Sequence, residues 1–470
     1  MMPYALTIFA GAFLVFQVQP LIGKYILPWF GGGPGVWTAC LLFFQVLLLG
    51  GYAYAHLTAR WLNPRLQAVV HGLLLVVALA LLPIIPGEAW KPDGAQNPTL
   101  KIVILLTANL GLPFFVLSAA GPLVQHWFNQ TNPGRSPYRL YALSNAGSLL
   151  ALLSYPFLVE PHWSRQVQAE VWGWGLVGYA LCCGWCGWKL WGAGGPASPG
   201  SGAALTMSSG QSVPAPKRKS PVQGNRGEAV AVTNGTKLLW ILLPACASVL
   251  LLAVTNSLCQ DVAVVPFLWV LPLALYLVSF IVCFDRPAWY ARVPFTLILI
   301  AGAGAMCAAI YGSYTWPMWR LATAFCGGLF ACCMVCYGEL YRLRPPPRLL
   351  TAYYLAIALG GALGGLFVGL VAPLVFKGYF ELHAGLLACA VLFLAVCIRD
   401  RNNTEQREWL WLASLLPAIA LAALNWLCVW LGAQYPGSRA FFIVLQVAGV
   451  GLAAGAVAMG LTARRTAPSE

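Results

Sequence analysis

Three ionisable residues, Lys24, Asp261 and Glu339, stand inside or at the ends of strongly apolar runs of this 470-residue chain. A charge at the centre of a membrane-spanning helix costs about 2.5–3.5 kcal/mol on insertion scales, so such groups default to functional hypotheses. Lys24 follows Gln17, Gln19 and the helix-bending Pro20, and Asp261 follows Asn256 and Gln260. Groups of this kind can hold a charged solute, relay a proton or pair with one another. Glu339 precedes Arg342 and Arg344, so a salt bridge to one of these competes with a role as a cation contact. Gln125 and His126 add polar groups to a further apolar run.

The elements that carry these residues follow from composition. Sixty per cent of the chain is hydrophobic and nine per cent charged, which places it among polytopic membrane proteins. Roughly fourteen apolar runs of about 20 residues are expected to be all-α spans, because lipid leaves backbone amides no partner outside their own helix. The first run lacks a basic leader and a small-residue cleavage site, so it reads as a retained span.

The apolar part is written twice. F-L-V-F-Q-V-Q-P-L-I-G-K, ending at Lys24, answers L-L-L-A-V-T-N-S-L-C-Q-D, ending at Asp261. P-G-V-W, ending at Trp37, answers P-F-L-W, ending at Trp269, and Gly121 answers Gly338. L-Y-A-L-S-N-A-G, ending at Gly147, answers Y-Y-L-A-I-A-L-G, ending at Gly360, and Pro156 answers Pro373. The expected layout is a six-helix repeat over 1–192, a linker over 193–236, a second six-helix repeat over 237–400 and a helix pair within 401–470. The linker, rich in Gly, Pro, Ser and Ala, is expected to be disordered and cytoplasmic. An even number of spans per copy makes the repeats parallel, in the six-plus-six facilitator layout. In that layout equivalent helices face one another, and Lys24 and Asp261 either pair across the seam or reach the outer interface separately.

The net charge of +14 suggests nucleic acid until its distribution is read. Arg60, Arg65, Arg135, Arg139, Arg286, Arg292, Arg342, Arg344, Arg399 and Arg401 fall in loops on one side, with Lys217, Arg218 and Lys219 of the linker. That bias predicts cytoplasmic termini, and lipid topology accounts for the charge without nucleic acid. Twenty tryptophans, largely near span ends, fit an interfacial belt.

Other candidates read as structural. Asn145 in the fifth helix suits an interhelical hydrogen bond, and Gly360, Gly361, Gly364, Gly365 and Gly369 give a flat face for close helix packing. Cys182, Cys183 and Cys186 form C-C-x-x-C, as do Cys332, Cys333 and Cys336. No histidine accompanies either at ligand spacing, so small apolar thiols are the default and neither metal nor cofactor is expected.

Longer motifs carry a resemblance. V-F-Q-V-Q-P-L-I-G-K-Y-I-L-P-W-F-G-G-G-P-G-V-W (15–37), Y-R-L-Y-A-L-S-N-A-G-S (138–148), D-V-A-V-V-P-F-L-W-V-L-P-L-A-L-Y-L (261–277) and V-C-Y-G-E-L-Y-R-L-R-P (335–345) are similar to the membrane half of bacterial fused major-facilitator/spermidine synthase proteins. The resemblance implies a bacterial cytoplasmic membrane and a soluble aminopropyltransferase-like domain. No matching strand–loop–helix fingerprint follows residue 400, so catalysis is not carried over to this chain.

Two functions fit. One is a transporter of a small solute, cationic or polyamine-like, bound by Asp261 and Glu339 with Lys24 as counter-charge. In it Gln17, Gln19, Asn256, Gln260 and His126 would line the cavity. The other is a membrane anchor whose cytoplasmic loops dock a separate enzyme or a larger membrane complex.

Overall fold

A computed structural model describes residues 2–30, 34–91, 98–132, 137–193, 233–261, 270–312, 316–376 and 380–400. The described residues form twelve helical rods. In the first repeat these are α1 (Met2–Phe30), α2 (Pro34–Trp61), α3 (Pro64–Ala80), α4 (Pro98–Leu106, continuing to Thr131), α5 (Tyr138–Ser154, continuing to His162) and α6 (Arg165–Ala193). The second repeat supplies α7 (Asn234–Asp261), α8 (Val270–Asp285), α9 (Arg292–Gly312), α10 (Met318–Arg342), α11 (Leu350–Leu366, continuing to Val375) and α12 (Glu381–Asp400). Seven rods are long and apolar enough to cross a membrane unaided, and those at 64–80, 270–285 and 381–397 are shorter apolar helices. The linker and both expected spans beyond residue 400 lie outside the described residues, apart from short flanking stretches.

Prolines set the local irregularities. Three π-helical turns, Thr107–Gly111, Tyr155–Val159 and Phe367–Val371, each end two residues before a proline: Pro113, Pro161 and Pro373. A proline ring collides with the carbonyl four residues back and offers no N–H to it, and one widened turn relieves both problems. The turns in α5 and α11 fall within one residue of equivalent positions, so the duplication extends to the helix defects, and a proline, Pro161 or Pro373, follows each.

Packing repeats as well. Within the first copy α1 packs on α4, α5 and α6, and α2 on α4; within the second α7 packs on α10, α11 and α12, and α8 on α10. Equivalent glycines permit the tightest of these contacts. A Cβ on Gly147 would lie 2.7 Å from the Phe9 carbonyl oxygen of α1, and one on Gly360 would strike the Ile241 carbonyl of α7. Across the seam the main contacts are α5 with α8 and α2 with α11, which the duplication interchanges. Two large buried clusters follow, one in each copy, with Tyr138, Tyr141 and Ala142 of α5 reaching into the second.

Candidate functional site

The seam holds a partly open cavity of about 250 Å3. Residues from α1, α2, α4, α5, α7, α8 and α11 line it, so both copies build the wall. Equivalent positions recur: Gln45 and Leu48 of α2 answer Leu277 and Phe280 of α8, while Ser144 and Asn145 of α5 answer Ile357 and Ala358 of α11. The sequence differences between copies therefore place most of the polar groups on the first copy's wall.

Those polar groups are amides and hydroxyls: Gln45, Tyr52, Ser118, Tyr141, Asn145 and Tyr276 among them. The Asn145 amide nitrogen donates to the Tyr141 carbonyl at 2.9 Å, leaving the side-chain oxygen as an acceptor for a ligand. Ser118 donates to the Phe115 carbonyl at 2.7 Å, and Ser248 to the Gly361 carbonyl at 3.0 Å. No Asp, Glu, Lys, Arg or His is found among the described lining residues.

A bridging layer closes the seam at the helix ends that carry the arginine-rich loops. Tyr141 stacks on Tyr354 with ring centroids 4.5 Å apart and planes 17° apart. Tyr354 donates its hydroxyl to the Gln125 side-chain oxygen at 2.8 Å, joining α11 to α4. His56 Nδ1 lies 3.0 Å from the Thr351 hydroxyl, and Arg139 pairs with Asp285 at 3.6 Å. Tyr138 donates to the Pro345 carbonyl, while the Arg344 guanidinium covers the Tyr341 ring at 4.1 Å.

Of the ionisable residues expected to form the site, Lys24 and Glu339 lie away from the described cavity lining. Lys24 pairs with Glu160 of α5 at 2.8 Å, within its own copy, and Arg165 donates to the Lys24 carbonyl at 3.1 Å. Asp261 ends α7, and its side chain, like that of Gln260, lies outside the described residues. Glu339 is fully buried but away from the cavity lining. It accepts from Arg292 at 2.8 and 2.7 Å and from the Tyr290 hydroxyl at 2.8 Å, with Arg342 more distant at 3.7 Å. The expected salt bridge to Arg342 forms, but the closer partner is an arginine 47 positions away, whose fork matches both carboxylate oxygens.

Three of the remaining polar candidates are held by side-chain hydrogen bonds. Gln17 donates to Ser154 at 3.2 Å, Gln19 to the Val15 carbonyl at 3.2 Å, and His126 meets Gln130 at 2.8 Å. Asn256 is half-buried in α7, away from the cavity lining. Asn145, read from sequence as an interhelical packing group, bonds within its own helix and lines the cavity. The glycines divide similarly. Gly360 and Gly364 press on α7 and Gly365 on Gln45, whereas a Cβ on Gly361 would meet nothing within 4 Å, and Gly361 lines the cavity. Gly369 is exposed in the π-turn of α11. Gln45 and Tyr276 were silent in the sequence because a single polar group in an apolar helix gives no sign of which way it faces.

No family model and no curated protein sequence matches the chain. Among solved structures, a double-tryptophan mutant of XylE superposes with a TM-score of 0.52 at 11% identity, covering 89% of this chain and 98% of that one. A D-xylose-proton symporter and the nucleoside transporter NupG give TM-scores of 0.48 and 0.43 at 12% and 10% identity. They cover 84% and 86% of this chain and 96% and 99% of their own. XylE is described as a major facilitator superfamily protein; the likeness to its double-tryptophan mutant shows that this chain shares that helical fold.

Proposed function

We propose that this protein carries a small, uncharged polar solute across the membrane through the cavity between its two repeats. The cavity itself supports the reading: equivalent positions of both copies converge on it, and its described polar groups are neutral donors and acceptors. Burying a polyamine there would strip several ammonium groups of water without a described carboxylate to meet them, a large penalty. A neutral solute bearing hydroxyl or amide groups exchanges hydrogen bonds to water for bonds to Gln45, Asn145 and the tyrosines at little cost. At about 250 Å3 the space falls just below the usual range for ligand pockets, about 300–1,000 Å3, and suits one small molecule.

The bridging layer belongs to the same mechanism. Parallel repeats around a central site give access to one face at a time by rocking against each other. In the described conformation the layer of Tyr141, Tyr354, His56, Thr351, Arg139 and Asp285 bars the side that carries the arginine-rich loops. Releasing a solute to that side requires these contacts to part. They include the packing of Tyr138, Tyr141 and Ala142 into the second repeat's buried cluster, so opening this side exposes part of that core.

A thermal-shift screen of the purified protein tests the reading. Sugars, polyols, nucleosides and amides would be compared with polyamines at equal concentration. Stabilisation by a neutral class, lost in Asn145→Leu, is expected. Stabilisation by polyamines alone would favour the charged-solute reading, and stabilisation by none would favour an anchoring role toward a soluble partner.

A further inference from the structure

The second repeat gathers thiols that the sequence keeps far apart. Cys246 of α7, Cys336 of α10 and Cys389 of α12 bring their sulfur atoms within 4.8 Å of one another, and Cys336 and Cys389 are 3.9 Å apart. All three are buried, with exposures of 1–4%. The spacing suits thiolate coordination, because sulfurs at about 2.3 Å from one tetrahedral ion lie about 3.8 Å from each other, close to the Cys336–Cys389 separation.

The arrangement differs from scattered core cysteines. Cys326 of α10 and Cys283 of α8 are buried too, yet Cys283 contacts a methionine and a backbone carbonyl. At the three-helix junction sulfur meets sulfur. The first repeat has no counterpart: Gly121 and Gly338 set a register in which Cys332 and Cys336 correspond to Phe115 and Ala119. Each C-C-x-x-C run reads alone as apolar packing, and only the fold adds Cys246 and Cys389 to one of them.

We infer that Cys246, Cys336 and Cys389 bind one thiophilic d10 cation, Cu(I) or Zn(II), that staples α7, α10 and α12 together. All-sulfur donors select these ions over hard cations, which prefer oxygen. Binding releases thiol protons and adds the metal's affinity to the stability of the folded junction. The inference is independent of what the central cavity carries.

Elemental analysis tests it on full-length protein purified without chelator from cells supplied with both metals. About one equivalent of copper or zinc per chain is expected. Chelator-stripped protein should regain it on titration with Cu(I) or Zn(II), with a higher melting temperature, and Co(II) should give a thiolate charge-transfer band. Whichever ion resists a competing chelator identifies the occupant. Cys336→Ser and Cys389→Ser should abolish the stoichiometric metal and the cobalt band, whereas Cys326→Ser should keep both. A melting curve like that of stripped wild type shows that these variants fold. Absence of metal together with no saturable binding overturns the inference. So does metal retained in the Cys336→Ser/Cys389→Ser double variant, or a Cys336–Cys389 disulfide found by mass spectrometry in metal-free native protein.

Discussion

Tyr141 and Tyr354 occupy equivalent positions in the two repeats and stack on each other, 4.5 Å between centroids and 17° from parallel. A residue can touch its own repeat counterpart only near the axis that relates the copies. The pair therefore marks the pseudo-twofold axis, at the floor of the cavity on the basic side. An aromatic pair adds about 0.5–1.5 kcal/mol beyond area burial, enough to bias a seam without locking it.

Weakening this pair should shift the balance between access states. Tyr354→Phe removes only the bond to Gln125, worth about 1 kcal/mol, and leaves the ring stack. Tyr141→Ala removes the stack and opens space between the copies. Labelling of Ser144→Cys by an impermeant thiol reagent from the basic side should rise strongly in the Tyr141→Ala background and little in Tyr354→Phe.

Cavity polar groups should govern solute affinity and not folding. Losing one or two hydrogen bonds amounts to about 1.4 kcal/mol, so Asn145→Leu and Gln45→Leu should each raise the apparent KM about tenfold. Melting temperatures should stay within a few degrees of wild type, as measured by fluorescence in detergent.

The α11 glycines should separate by face. Gly360→Ala and Gly364→Ala drive a methyl into the α7 backbone and should cost about 1–3 kcal/mol, the usual range for overpacking. Gly361→Ala meets open space and should melt like wild type, while a larger Gly361→Leu should obstruct uptake. Thermal unfolding beside uptake distinguishes the two classes.

The charge pairs should rank by burial. Arg292→Ala leaves the Glu339 carboxylate buried without its bidentate partner, and breaking such a pair costs about 3–5 kcal/mol. Arg292→Leu/Glu339→Gln should recover part of this, which a double-mutant cycle reads directly. Lys24 and Glu160 are partly exposed, so Lys24→Met should cost only about 0–1 kcal/mol and leave solute affinity unchanged.

The architecture was legible because lipid imposes a simple rule: long apolar runs are helices, and a repeated run is a repeated helix. The motif L-Y-A-L-S-N-A-G and its counterpart held both the axis, at Tyr141 and Tyr354, and the close contacts at Gly147 and Gly360. Helix facing was not legible. Nearly all-apolar helices carry little amphipathic signal, so Gln45, Ser118 and Tyr276 could not be assigned to the cavity. Lys24 and Glu339 stood out in sequence, and each is satisfied by a partner, Glu160 or Arg292, that only folding brings near.

Uptake into proteoliposomes measures the central claim most directly. Radiolabelled neutral solutes that stabilise the protein would be compared with labelled polyamines, in wild type and in Asn145→Leu. The account predicts saturable uptake of a neutral solute, strongly reduced by Asn145→Leu and unchanged by Lys24→Met. Polyamine uptake indifferent to Asn145, or no solute uptake at all, would contradict it.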